Sequence, residues 1–352
     1  DFNNYLGNAY LNFGEPVDLE EFLIENVSKD FHINSPFDKP DWLKPTTSLL
    51  GDTIIRSVNN SVAVSSTSLF AMSLLTDPTQ TLSKETLKNR ISFYIYLIKN
   101  SENYKDVWLT EVSAEEIIDR SERLRFMKNQ LIGSDEVYRP NTSEVAALSF
   151  YKNNISHIFM LYSLICESVR YVDEISKDEM YKLIKMVYPI FSREYFLKST
   201  HVTHEEIDQA LTTLLDQGVI GSKTQKIYCK PQNRDDLINK YLSLCNICEP
   251  SLKRFYITMS VLWEKEDISK DMLQTICDSI SKNLESIEGW PYPEFSDSMK
   301  FQNFIEFLIA ERYVKKDENS GNLSASKITL KAQKSYKTFF DSKFIKLIQN
   351  IN

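Results

Sequence analysis

Ser149–Val169 reads SFYKNNISHIFMLYSLICESV, a mostly apolar run with Asn153, Asn154 and His157 in its first half. With its flanks it becomes VAALSFYKNNISHIFMLYSLICESVRYV, 145–172, which predicts one long, largely buried helix. At 100° per residue the two amides and the imidazole share one side of that helix. A buried amide or imidazole without a partner costs about 1–3 kcal/mol. The three therefore require polar groups on another helix, on residues outside this chain, or on a ligand. A hydrogen-bonded joint that fixes helix register is the plain reading, and a ligand contact is the sharper one.

Working upstream, Leu50, Ile54, Val58 and Val62 recur every four residues, predicting a helix that runs to about Leu75. Asp77-Pro78 ends it, and Ser83 caps the next, SKETLKNRISFYIYLIKN. Shorter helical pieces follow over Ala114–Gln130. Near the start, AYLNF (Ala9–Phe13) reads as a strand stopped by Gly14-Glu15-Pro16, and Asp18 caps a short helix, LEEFLIENV. Pro36, Pro40 and Pro45 predict an extended connector over Phe31–Thr47.

Downstream, a plan of helix, helix and hairpin occurs twice. SKDEMYKLIKMVYPIF, THEEIDQALTTLLDQG and VIGSKTQKIYCKP form one copy, with Gly218 as a left-handed cap. SKDMLQTICDSISKNL, DSMKFQNFIEFLIAERYV and KKDENSGNLSASKITL form the other. This is the plan of a winged-helix unit. The expected fold is mainly α-helical, with two winged-helix-like units carrying small β-hairpins and a strand remnant at the N-terminus. Its expected divisions are 1–47, 48–175 and 176–352.

Composition narrows the function. Glycine is scarce, 8 in 352 residues, and neither G-x-G-x-x-G nor G-x-x-x-x-G-K-[ST] occurs, which disfavours nucleotide folds. The net charge of −8 argues against nucleic acid as a partner. So does the expected reading helix of the first winged unit, with Glu205, Glu206, Asp208 and Asp216 and no Lys or Arg. Five cysteines, spread widely, predict reduced thiols in a cytoplasmic compartment. There is no run of 18 apolar residues to span a bilayer, and no signal peptide is expected. A first residue of Asp1, without an initiator Met, predicts a fragment of a longer protein.

Candidate chemistry is thin. Cys245-Asn-Ile-Cys248 has no second pair at zinc spacing and reads as two thiols packed on a helix. His201 and His204 lack a third ligand and read as a loop or cap, so no metal is expected and no cofactor is called for. No serine or cysteine has the setting of a nucleophile. Five residues beyond His32, His157, His201 and His204 stand Phe37, Tyr162, Glu206 and Gln209, so no His-x4-Asp pair exists here.

YKNNISH, 151–157, resembles the tyrosine–basic–Asn-Asn–His segment of the bacterial membrane glycerol-3-phosphate 1-O-acyltransferases. The likeness continues in order. YLNFGEPVDLEEFL resembles that family's fourth acyltransferase motif, PDWLKPT its connector, and SVNNSVAVSSTSLFAMSLL the helix after it. VYPIFSREYFLK, LKRFYITMSVLW and PEFSDSMKFQNFIEFLIAERYV resemble later segments, so the likeness spans Tyr10–Val314.

The resemblance implies acyl transfer from acyl-CoA or acyl-carrier protein to the sn-1 hydroxyl of glycerol 3-phosphate, giving lysophosphatidate. It implies membrane lipid as a partner, at the cytoplasmic face of the inner membrane. The family's general base, the His of His-x4-Asp, has no match in this chain, so no catalytic residue is expected and the piece alone should be inactive. Gly14 and Pro16 are implied to shape the floor of the substrate site. Asn154 and His157 match a segment expected to bind substrate or to meet the catalytic domain. The rival is a non-catalytic winged-helix interaction module.

Overall fold

The structure is a computed structural model that describes residues 8–27, 39–105, 107–132, 135–265, 267–288 and 295–351. Three helices form its spine: α3 (Ser66–Leu75), α6 (Val145–Ser168) and α9 (Asp235–Glu264). Helix α6 packs between the other two. That position explains why its apolar residues run almost all round, since a helix covered on two sides has no broad wet face.

Each spine helix is followed by the same unit. A short strand leads into two helices that pack back on the spine, and a hairpin closes it. After α3 come β2 (Leu82–Ser83), α4 (Lys84–Lys99), α5 (Ala114–Arg123), β4 (Met127–Ile132) and β5 (Asp135–Pro140). Following α6 are β6 (Ile175–Ser176), α7 (Lys177–Tyr195), α8 (His204–Asp216), β7 (Gly221–Thr224) and β8 (Ile227–Cys229). The third unit, after α9, has α10 (Lys270–Glu288), α11 (Ser298–Ala310), β9 (Val314–Lys316) and β10 (Leu323–Ala325). The leading strand pairs antiparallel with the second hairpin strand each time: β2 with β5, β6 with β8, and the single bridge Ile268–Leu323.

The repeat has a local chemical cause. Leu82-Ser83-Lys84-Glu85, Ile175-Ser176-Lys177-Asp178 and Ile268-Ser269-Lys270-Asp271 recur with their serines 93 residues apart. The apolar residue is buried in the strand. The serine Oγ accepts the N–H three residues on, from Thr86, Glu179 and Met272. The acid then sits in the first helical turn, where the helix dipole favours it. Two such copies are legible in the sequence; the structure has a third, Leu82–Pro140, ahead of them. Gly218, at φ +65°, closes α8 as expected.

Helices α12 (Lys327–Tyr336) and α13 (Ser342–Ile351) close the far end of α9, while α2 (Leu43–Asn60) lies on α6 and α1 (Leu19–Asn26) on α2. The fold is mainly α-helical, as expected, with local corrections. Residues 8–18 form no strand: among the described residues no strand pairs with AYLNF to complete a ladder. The helix predicted to reach Leu75 is two helices. Strand β1 (Ala63–Val64) intervenes, paired parallel with β3 (Trp108–Leu109), and Ser65 caps α3 by accepting from Ser68 N–H. Helix α2 begins at Leu43, since Pro45 falls in the first turn, where its missing N–H is not needed. The predicted connector is shortened accordingly, and its portion 31–38 lies outside the described residues. Helix α5 stops at Arg123, with Arg125 at φ 60°, so 127–130 belongs to a strand.

Candidate functional site

An open groove of about 1330 Å³ runs between residues 8–17, the end of α2, the start of α3 and the first half of α6. The N-terminal segment is laid across α2: Asn12 Nδ2 donates to Ser61 O at 3.0 Å, and the Tyr10 ring lies 4.3 Å from Trp108. Gly14 makes the closest approach. A Cβ there would stand 2.5 Å from Ser61 Oγ, 2.9 Å from Ser57 Oγ and 3.3 Å from Ser57 O, so a larger residue would require the serine hydroxyls to turn away or the segment to shift. Pro16 is exposed beside the groove, and its neighbours Glu15 and Val17 line it. Across the groove stand Phe126, Phe150 and Tyr151, whose rings meet edge to face. Arg120, the groove's cation, is held by Glu116 at 2.6 Å.

The structure separates the trio that shares a side of α6. Asn153 and Asn154 are exposed and line the groove, so they do not need the buried partners that the sequence demanded. His157, one turn on, is 3% exposed. Its Nε2 lies 3.1 Å from Asn59 O, and because a carbonyl only accepts, that nitrogen carries the hydrogen. Asn59 Nδ2 in turn donates to Tyr195 O at 2.9 Å and Phe196 O at 3.3 Å, the left-handed end of α7. Arg56 joins the same joint through Ser192 Oγ, at 3.1 Å, and Leu197 O.

Burial pulls the His157 imidazole down to about 4, against the smaller pull of the Asn59 carbonyl. The ring is therefore neutral near pH 7 and ties α2, α6 and α7 together. It contacts a main-chain oxygen and the edge of Tyr104, at 5.5 Å, where a general base would be oriented by a carboxylate.

A second polar cluster lies at the other end of α6. Glu167, 1% exposed, receives Arg170 Nη1 at 3.2 Å. The same Nη1 lies 3.2 Å from Glu249 of α9, whose other oxygen takes Lys253 Nζ at 2.6 Å. Burial, only partly offset by Arg170, pushes the Glu167 carboxyl up to about 7. Burial opposes ionisation of Glu249 too, but Lys253 and Arg170 together outweigh it and hold that carboxyl below its ordinary range. Nearby, the Ser163 hydroxyl donates to Leu244 O and accepts from Cys248 N–H, entering the α9 ladder just before Pro250. Cys245 and Cys248 are free and buried there, and burial raises both thiols, as packing residues require. Sequence reasoning missed this cluster. Its signal was the i,i+3 pair Glu167/Arg170 and the i,i+4 pair Glu249/Lys253, each embedded in apolar helix.

The remaining candidates are resolved simply. His204 stacks on the Tyr181 ring at 4.2 Å, and His201 is exposed. His32 lies outside the described residues. No metal-ligand group of three or more His, Cys, Asp or Glu occurs among the described residues. Nor is any described helix long and apolar enough to cross a membrane.

Fold and site together define a mainly α-helical scaffold with an open groove beside a sealed spine. Residues 2–317 match the glycerol-3-phosphate acyltransferase C-terminal region, and the chain belongs to that family. It is 26% identical over 324 residues to a glycerol-3-phosphate acyltransferase of Pseudomonas paraeruginosa, covering 90% of this chain and 38% of the relative. Against one of Alteromonas mediterranea the identity is 27% over 334 residues, covering 92% and 40%. The chain thus spans about two fifths of the length of these relatives.

Proposed function

We propose that this chain is the C-terminal supporting region of a glycerol-3-phosphate 1-O-acyltransferase. Residues 1–47 carry the edge of the catalytic part, and 48–175 and 176–352 the helical support with its winged-helix-like units. In the reaction, a base removes the proton of the sn-1 hydroxyl and the oxygen attacks the thioester carbonyl of acyl-CoA or acyl-carrier protein. The C–S bond then breaks, the thiol leaves with a proton, and lysophosphatidate is released. The site of action is the cytoplasmic face of the inner membrane.

The observation that carries this reading is the family match over nearly the whole chain. The described histidines support placing the general base elsewhere, since His157 serves a helix joint and His204 an aromatic stack. Gly14 holds the groove-side backbone close to α2, and with Pro16 it shapes the floor of the substrate site. Asn154 is a contact to the catalytic part, and His157 positions it from behind. The test is glycerol-3-phosphate-dependent thiol release from acyl-CoA. A protein extended upstream to the length of the relatives turns over, and the 352-residue chain stays at background. Turnover by the 352-residue chain unaided overturns the reading.

A further inference from the structure

We propose that the face built by residues 8–17, α1, α2 and the Phe150–Asn154 turn of α6 seats another folded part of the same protein, one apolar at its centre and basic at its rim. The inference rests on the proposed function and names the partner surface for that groove.

The centre of this face is apolar and wet. Leu11, Val17, Ile54, Val58 and Phe150 all line the one groove, with Leu11 81%, Val58 63% and Phe150 64% exposed. Phe13 stands beside them at 85%. A soluble surface rarely gathers so many large apolar groups at one place unless something covers them. Asn153 and Asn154 add adaptable donors and acceptors at the groove wall.

Along residues 8–27 the rim is of one sign, and Arg120 on the opposite wall is already held by Glu116. Between residues 8 and 27 stand Glu15, Asp18, Glu20, Glu21 and Glu25, and no Lys or Arg. Asp18 caps α1, and Glu20 and Glu21 suit its first turn, so those three have a local reason. Glu25 does not: it sits in the last turn, where the helix dipole disfavours an anion. Glu15 lies in the groove itself. Both call for cations brought by a partner.

That charge decides among occupants. An anionic leaflet attracts basic segments and would repel this rim. A second copy meeting across a twofold axis would set acidic rim against acidic rim. A separate protein surface with a basic border fits, and the chain covers only about two fifths of its relatives, which leaves ample polypeptide to supply one.

Hydrogen exchange compares the 352-residue chain with the protein extended upstream to its relatives' length. Amides of 8–27 and 43–60 are expected to exchange at least about tenfold more slowly in the longer protein. Phe13→Asp with Glu25→Lys should remove that protection while leaving the thermal midpoint of the 352-residue chain unchanged, since both side chains are exposed. Equal exchange in the two proteins overturns the inference, even where the longer one acylates glycerol 3-phosphate. A dimer of the 352-residue chain in sedimentation, abolished by Phe13→Asp, would assign the face to a second copy. Flotation with phosphatidylcholine–phosphatidylglycerol vesicles, abolished by the same change, would assign it to lipid. Either result also overturns the inference. Protection without acyl transfer would instead leave this face standing and remove the proposed function.

Discussion

The two ends of α6 solve the same problem in opposite ways. At the N-terminal end the polar side chains are conspicuous in sequence, yet two of three stand in an open groove and the third is a neutral ring bound to a main-chain carbonyl. The C-terminal end looks ordinary in sequence, yet it seals two carboxylates, a guanidinium and an ammonium between α6 and α9. The difference shows that polarity in a helix predicts burial cost only once the neighbours are known. Uncharged groups can be met by spare backbone lone pairs. Buried charges need designated counter-charges, and those must come from a second helix held in register.

The largest expected effect comes from breaking the sealed end. Arg170→Leu leaves Glu167 and Glu249 facing each other with Lys253 as the nearby cation. Removing one member of a buried ion network costs about 3–5 kcal/mol. Urea unfolding should therefore show a midpoint shift of that size, and adding Glu167→Leu to the same chain should recover a large part of it. A loss below about 1 kcal/mol would mean that the cluster is solvated.

The two ends also titrate in opposite directions. His157 has a folded value near 4, below its ordinary 6.5, so the unfolded chain binds more protons between those values and stability rises with pH across that window. Glu167 is raised from 4.5 to about 7, so the folded chain binds more protons and stability falls as pH climbs from 4.5 to 7. From 4.5 to 6.5 the two slopes oppose each other, and each group alone contributes up to about 3 kcal/mol over its range. Relative to the unmodified chain, His157→Phe should expose the falling slope and Glu167→Gln the rising one. Glu249, held low, titrates beneath this window. If both variants keep the parent pH profile, both assignments are wrong.

Much of this contrast could be read from sequence at the level of elements, less so at the level of contacts. Caps at Asp18, Ser83 and Ser176 and the left-handed Gly218 are local, and local chemistry shows in a single chain. The first repeat unit was hidden because β2 has two residues and β4 buries only Met127, so neither shows alternation. The break at 61–65 was masked because Val58 and Val62 continue a four-residue spacing across it. Gly14 was named by resemblance alone. Its physical reason, a 2.5 Å approach to Ser61, depends on a neighbour 47 residues away. The Glu167–Glu249 cluster spans two spine helices and could only be seen once α6 and α9 were side by side.

The smallest effects test the open end, and they do so by contrast within one helical turn. His157→Leu removes the donor to Asn59 O but keeps an apolar side chain of similar bulk. Asn59 O also accepts from Val62 N–H at 3.3 Å, so it is not orphaned, and the expected loss is about 1–2 kcal/mol. Asn154→Ala, three residues earlier on the same side of α6, removes an exposed amide and should change stability by less than about 0.5 kcal/mol. If Asn154 meets the catalytic part, the same change in the longer protein lowers acyl transfer while the thermal midpoint stays put. His157→Leu should move both together, because it acts through the joint that holds α2 and α7 against α6. An Asn154→Ala protein as destabilised as His157→Leu would mean that the amide is a buried partner after all. The contrast between the ends of α6 would then lose its open member.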